Sequence, residues 1–375
     1  MNVQLLHHFN SLQDPRVERT KLHAFMDIIA LTICGVICGA DGWDDIHFYA
    51  CALEPWYRTF LALENGIPSS DTIRRVISAI RPDQFHACFL SWIQSIAKHL
   101  PGNIIAIDGK TLRSAYGPDD PKALLHIVHA WSDAQHLVLA EVNVNEKSNE
   151  ITAIPELLKL LAVEGCILTI DAIGCQKKIT HDIVEKKAGY AITVKENQET
   201  LYNNIVQTFA ETQEADGDAL SSTYVTEERN HGRYERRTYT VTNDLSRLST
   251  RDDWTGLTHI GMVTRERFLQ DLYEQETRYY ILCGVETAEK LAEASRGHWG
   301  IENSVHWSLD ITFHEDAIRI YDGYGAENLA TVRRIALNAL KQEKTRKLSL
   351  RNKRALCSMN PEYLMNVLGC VASET

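Results

Sequence analysis

The sequence has no CxxC pair, no internal repeat, no low-complexity stretch and no linker-like segment. Each absence excludes a class. The nine cysteines (34, 38, 51, 88, 166, 175, 283, 357 and 370) are scattered, mostly in apolar segments. That pattern suits reduced, buried thiols of a cytoplasmic protein and argues against a disulfide framework or a zinc ribbon. Long apolar runs are also missing. The most apolar stretch, Ala24 to Ala40, carries Asp27 and is short for a membrane span, so it reads as a buried core helix. Met1 to Phe9 lacks the basic start and apolar run of a secretory signal. What remains is a globular composition, 44% hydrophobic and 24% charged, in a chain of 375 residues, long enough to bury a large core.

The net charge of −11 opposes a polyanionic partner, but its distribution is uneven. Residues 1–100 hold 8 Lys/Arg against 10 Asp/Glu, residues 101–324 hold 22 against 36, and residues 325–375 hold 9 against 4. Acidity therefore gathers in the middle, and a basic segment follows, with seven basic residues and one acid between Lys341 and Arg354. Either that segment lends non-specific affinity for DNA or it is a solvated helix face.

Residues 1–100 read as an all-helical domain. Asn65 to Asp71 is a turn ending in good N-cap residues, followed by helices over Thr72 to Ile80 and Pro82 to Leu100. This pair is either a helix-turn-helix offering Arg74, Arg75 and Arg81 to phosphates, or an ordinary helical pair with surface arginines. At Pro101-Gly102 the texture changes. Asn103 to Lys110 is an apolar strand ending in Asp108-Gly109, Ile127 to Trp131 and Leu137 to Val142 are strands, and Ile154 to Ala162 is a helix. Cys166 to Asp171 is another apolar strand ending in an acid, then come a helix near Gln176 to Lys187 and a strand over Tyr190 to Val194. Strands alternating with helices imply an α/β sheet covered by helices. Thr-, Tyr- and Arg-rich runs between about 196 and 283 suggest a β-rich insertion. A helix spans 326–342, and a basic tail is expected over 343–375.

Between the insertion and that helix lies the stretch His298 to Asp310. Ile301, Val305 and Leu309 form one helical edge; His298, Glu302, His306 and Asp310 form a polar edge one residue along. Two aspartates at strand ends and a glutamate on a later helix could converge where α/β sheets bind ligands. Three carboxylates there suit two hard cations, Mg²⁺ or Mn²⁺, in the arrangement used to cut phosphodiesters. Singly, each acid has a plainer reading: Asp108 and Asp171 as turn formers, Glu302 as a solvated acid. His298, Glu302 and His306 at i, i+4 spacing form an alternative zinc face.

The order Asp108, Asp171, Glu302, with gaps of 63 and 131 residues, resembles the DDE transposases of bacterial insertion sequences, and most closely the H-repeat-associated group. The likeness runs nearly end to end, through Asp14-Pro15-Arg16, Gly39-Ala40 with Trp43, Asn65 to Thr72, Ile107 to Arg113, Asp171 to Gln176, Lys195 to Gln198, His231-Gly232-Arg233 and His298 to Asp310. The resemblance implies a ribonuclease-H-like catalytic domain over 101–342, with the β-rich insertion before the glutamate helix. It implies that Asp108, Asp171 and Glu302 are catalytic and hold two Mg²⁺ or Mn²⁺ ions. The partners would be double-stranded DNA, as element ends and target, and a second copy in the synaptic complex; no membrane and no small-molecule cofactor is called for. The place of work would be the cytoplasm, at the nucleoid. Many relatives in the wider class carry an arginine at the position of His298 and a lysine at that of Leu309; this chain lacks both. DNA contacts are expected from Lys110, Arg113, Gln176, Lys195, Asn197, Gln198, Arg233, Arg236, Arg237, Arg296 and His306, with His298, Trp299 and Asn303 supporting Glu302. Rival readings are a nuclease of the same fold without strand transfer, a catalytically inactive DNA-binding remnant, and the zinc hydrolase.

Overall fold

A computed structural model describes residues 3–112, 125–144, 149–214, 221–230, 233–269, 272–317, 319–320 and 322–369. The helices are α1 (Gln4–His7), α2 (Phe25–Cys38), α3 (Trp43–Ala52), α4 (Glu54–Tyr57), α5 (Ser70–Ala79), α6 (Pro82–Ile96), α7 (Glu150–Leu160), α8 (Lys177–Glu185), α9 (Glu199–Glu214), α10 (Ala288–Ile301), α11 (Trp307–Ile311), α12 (Gly325–Gln342), α13 (Leu350–Met359) and α14 (Pro361–Gly369). The strands are β1 (Ile104–Leu112), β2 (Leu125–Ser132), β3 (Leu137–Val144), β4 (Ile167–Ile170), β5 (Gly189–Val194), β6 (Ser221–Asn230), β7 (Arg233–Thr242), β8 (His259–Leu269) and β9 (Leu272–Cys283).

Among the described residues these strands form one sheet in the order β3-β2-β1-β4-β5-β9-β8-β7-β6. The β1, β4 and β5 strands run parallel, and the outer strands on both sides pair antiparallel. All four residues of β4 are buried, as a strand covered on both faces requires. The side chains of β1 divide by pleat. Ile105 and Ile107 join a core with Leu157 of α7, Ile183 of α8 and Phe209 of α9. Ala106 faces the opposite core, built from α2, α5, α6, α12 and α14. The result is a mixed α/β architecture with helices on both faces of the sheet.

Helix α2 is apolar all round and nearly every residue is buried, the signature of a core helix. It packs on α3, α12 and α13, so the helices of the first hundred residues share one apolar core with those of the C-terminal part. No single helix among the described residues is long and apolar enough to cross a membrane. Asn338 of α12 closes the outer edge of the sheet. Its amide donates to Val138 O and accepts from Val138 N–H, both at 2.9 Å, satisfying backbone groups of β3.

Three differences from the sequence reading matter. Strand β1 does not stop at Lys110 but runs to Leu112, so Asp108 sits inside a strand, opposite His129 of β2. The stretch between about 196 and 283 begins with α9, then forms a four-stranded meander bonded to β5 through β9, because Tyr190 to Val194 pairs with Tyr279 to Cys283. The segment past 343 folds as α13 and α14 where a basic tail was expected. Its Lys353 and Arg354 are buried; Arg354 donates to the carbonyls of Val36, Ala40 and Thr312 and lies 4.3 Å from the centre of the Phe313 ring. Its charge serves packing there.

Candidate active site

The parallel ladder between β1 and β4 ends at the pair Ile107 and Ile170. One position further along stand Asp108, still within β1, and Asp171, just past β4, so two acids meet where the parallel ladder ends. Asp108 Oδ1 accepts from the Gly109 N–H at 2.9 Å. Asp171 opens a short 3₁₀ turn, Ala172–Gly174, whose first free N–H groups it caps: Oδ1 accepts from Ile173 N–H at 3.0 Å. Glu302 comes from the other side. Helix α10 runs on into a single π turn, Glu302–His306, and Glu302 is its first residue, exposed and sharing a small pocket with Asp171. One-turn π segments displace the following residues relative to an α-helix and recur at functional sites.

These carboxylates feel one another. Burial, then the nearby charge of Asp171, then those of Glu302 and Glu150, push the Asp108 carboxyl up to about 7. Burial and Glu150 also raise Asp171. Glu150, the first residue of α7, is an acid at this site that sequence reasoning missed. It lies 2.7 Å from His126 Nε2, across Gly109. A Cβ at Gly109 would run into both side chains, so any other residue there would push the Glu150 and His126 ends aside. Among the described residues no three Asp, Glu, His or Cys side chains are gathered closely enough to hold an ion as they stand. The donor set is nevertheless hard oxygen, and burial together with repulsion from neighbouring acids, which raise Asp108, is what a divalent cation offsets.

The histidines of the presumed metal face part company. His298 Nδ1 lies 3.1 Å from Thr169 Oγ1 on β4, tying α10 to the sheet; burial lowers its ring to about 4. His306 turns to β1 and β2, with Nδ1 3.6 Å from Asp108 Oδ2 and its ring against His129. Burial, Lys110 and Arg334 lower it to about 3, so it is a neutral neighbour of Asp108 and not a cation for phosphate. Trp299 lies beneath two guanidiniums, those of Arg265 and Arg278. Asn303 is exposed and borders a separate cleft of about 690 Å³.

Several residues expected to touch DNA do other work. Lys110 is buried, with Nζ 2.7 Å from Asp310, 3.2 Å from Asp316 and 3.6 Å from Glu315. Glu315 also pairs with Arg334, which reaches Glu141 of β3 and His129. Asn197 donates to Ala172 O at 2.7 Å, Gln198 to Cys175 O at 2.9 Å and Gln176 to Ile173 O at 3.3 Å, so all three brace the turn that carries Asp171. Arg233 and Arg237 pair with Glu235, Arg236 with Glu227, and Arg296 with Glu228. On α5 and α6, Arg74 and Arg75 pair with Asp71, and Arg81 with Asp83. Arg113 lies outside the described residues. Lys195 is exposed at the rim of the pocket shared by Asp171 and Glu302.

Comparison with known proteins matches residues 99–339 to the family model described as Transposase DDE domain, and residues 6–93 to the model described as DDE_Tnp_1-associated. The chain belongs to the DDE transposase family. It is 38% identical over 370 residues to the H repeat-associated putative transposase YhhI of Escherichia coli (strain K12), covering 97% of each chain. It is 38% identical to the putative transposase YncI of Escherichia coli O157:H7, covering 98% of this chain and 95% of that one. A short relative, named inactive transposase YbfQ, is 40% identical over 75 residues, 20% of this chain and 89% of that one. Among solved structures, the piggyBac transposase synaptic complex with hairpin DNA aligns at a TM-score of 0.43 and 12% identity, over 93% of this chain and 75% of that one.

Proposed function

We propose that this member of the DDE family is an active transposase of an insertion-sequence-like element. It hydrolyses phosphodiester bonds at the element's ends and transfers the freed 3′-hydroxyl into target DNA. The observation that carries the reading is the juxtaposition of Asp108 and Asp171 at the end of one parallel ladder, with Glu302 facing them from the π turn. The strand order β3-β2-β1-β4-β5, antiparallel then parallel, supports a ribonuclease-H-like catalytic unit over 101–342.

In this reading Asp108, Asp171 and Glu302 hold two Mg²⁺ or Mn²⁺ ions, which when bound supply Lewis acidity to the phosphoryl oxygens and ease deprotonation of the attacking hydroxyl. The rest falls to the chain. Asn197 and Gln198 keep the Asp171 turn in place. His306, neutral and partly buried, stands beside Asp108 without drawing its charge away. His298 fixes the helix from which Glu302 projects. In-line attack on phosphorus by water, and later by a 3′-hydroxyl, then needs only that the scissile phosphate lie over these carboxylates. Element ends and target are both double-stranded DNA, two copies of the chain work together on paired ends, and the place of work is the nucleoid.

The test is cleavage of a plasmid carrying the flanking genomic repeats, with Mg²⁺ or Mn²⁺, by wild type and Asp108→Ala, together with joining of a pre-cut 3′-hydroxyl end to target plasmid. Metal-dependent cutting and joining by the wild type alone are expected. Cutting that survives the substitution would sink the assignment, and cutting without joining would mark a nuclease of the same fold.

A further inference from the structure

The chain lacks the arginine and lysine that the wider class places around its glutamate, and most of the cations expected near the site are ion-paired. One group of cations is not fully neutralised. Arg265 on β8 stands opposite Glu276 on β9, and Arg278 lies two residues along from Glu276, on the same face of that strand. Arg265 Nη2 is 2.8 Å from Glu276 Oε2, and Arg278 donates to Glu276 Oε1 at 2.7 Å. One carboxylate therefore serves two guanidiniums. On the neighbouring strand the last pair is Val194 with Tyr279, which puts Lys195 one position past β5 and next to Arg278. Lys195 is exposed and makes no ion pair among the described residues.

Trp299, three residues before Glu302, completes the group. The guanidinium carbons of Arg265 and Arg278 are 5.8 and 5.2 Å from its ring centre, a contact that fixes both side chains. Lys195, Arg278 and Trp299 line the same pocket as Asp171 and Glu302, with Thr169, Thr193, Tyr280 and Ser295 adding hydroxyl groups. Its volume is about 150 Å³. That is roughly half the lower end of the range usual for small-molecule sites, about 300 Å³, so the pocket suits a single charged group on a larger ligand.

We infer that Arg265 and Arg278, held over Trp299, form with Lys195 the subsite for a backbone phosphate of the DNA strand that enters the active site. The β-meander and the turn after β5 thus supply the cations that the glutamate helix lacks. Two guanidiniums and an ammonium stand beside Glu276, and Asp171 and Glu302 line the same pocket, so cations and acids are gathered at one place. Guanidinium forks suit phosphate oxygens, and these cations sit beside the acids in a chain whose overall charge repels DNA. The inference rests on the transposase reading for its ligand.

The test measures binding of the full chain to fluorescein-labelled duplex by anisotropy, in EDTA so that nothing is cut, over a series of salt concentrations. Sequence-independent DNA suffices, since phosphate contacts carry no sequence information. Each phosphate contact contributes about −0.9 to the slope of log K against log salt. Arg278→Gln is expected to flatten the slope by about one, Arg265→Gln with Arg278→Gln by one to two, and Arg278→Lys to keep most of it, all with unchanged melting temperature. A wild type that binds with a steep slope, together with glutamine variants of the same slope, would overturn the subsite and leave the transposase reading standing. A wild type without salt-dependent DNA binding would overturn both. If Arg278→Gln loses its fold, the exposed Lys195→Gln decides by the same slope.

Discussion

Lys110 sits two residues past Asp108, where sequence alone points to a phosphate contact, yet it is surrounded by carboxylates. The two roles predict opposite phenotypes for Lys110→Met, which keeps the apolar stem and deletes the charge. The lysine side chain is almost wholly buried and Glu315 entirely so, whereas Asp310 and Asp316 are more than a third exposed. Breaking a buried pair by removing one partner costs about 3–5 kcal/mol, while exposed partners add little. The expected loss is therefore at the lower end, about 3 kcal/mol. At about 2.1 cal/mol/K per residue over the whole chain the unfolding entropy is about 0.8 kcal/mol/K, so the melting temperature should fall by about 4 °C. Urea unfolding should show a lower midpoint at unchanged m. Burial alone would raise Glu315, but Arg334, Arg333 and Lys110 overcome it and hold the carboxyl below its ordinary 4.5. A depressed acid contributes stability above its unfolded value and gives it up as pH falls through its folded value. The wild type should therefore start losing stability below about pH 4.5. Anisotropy with duplex DNA at several salt concentrations completes the assay; Lys110→Met should leave the slope unchanged. Unchanged stability with a slope flattened by about one would refute the reasoning and return Lys110 to the phosphate.

With EDTA present, Asp108→Asn is expected to raise stability by roughly 1–4 kcal/mol at pH 8 while abolishing cleavage, because it removes a buried charge that its neighbours repel; thermal melting checks it, and no gain would mean the acids stand further apart. Adding Mg²⁺ or Mn²⁺ should stabilise the wild type and not that variant, as melting curves in the two conditions will show. Asn197→Ala with Gln198→Ala should lower the cleavage rate at least tenfold with little change in DNA affinity, since both side chains hold the Asp171 turn. Arg354→Met should cost about 3–5 kcal/mol in urea unfolding, because it removes the buried guanidinium's hydrogen bonds to the carbonyls of Val36, Ala40 and Thr312.

The strands were legible because their apolar runs end in polar punctuation, and Asp108 and Asp171 were legible as acids at such ends. Ile301, Val305 and Leu309 are all fully buried, as their spacing promised. What was hidden depends on pairing across long distances. Lys110 meets acids about 200 residues later, and no local pattern announces a partner that far away. Asn197 and Gln198 looked like DNA contacts because polar side chains near a strand end read alike whether they face solvent or a carbonyl. Two signals were present and unread: Glu141 inside an apolar strand, and Arg333-Arg334 amid the apolar positions of α12, each a charge placed where burial demands a partner. The π turn left no trace, since its residues keep an ordinary helical composition.

The hydrogen-bonded seam between β5 and β9 also bears on how such a chain can be altered. Because β6 to β9 continue the central sheet, cutting them out would uncover Tyr190 to Val194 as a raw strand edge of apolar residues, the kind that recruits other chains into aggregates. Shortened versions should therefore come out of cells insoluble, however neatly the ends are rejoined. An intermediate that gained this meander in stages would have to cover the edge at each one. Extension from the rim outward, hairpin by hairpin with β9 laid first on β5, satisfies that demand.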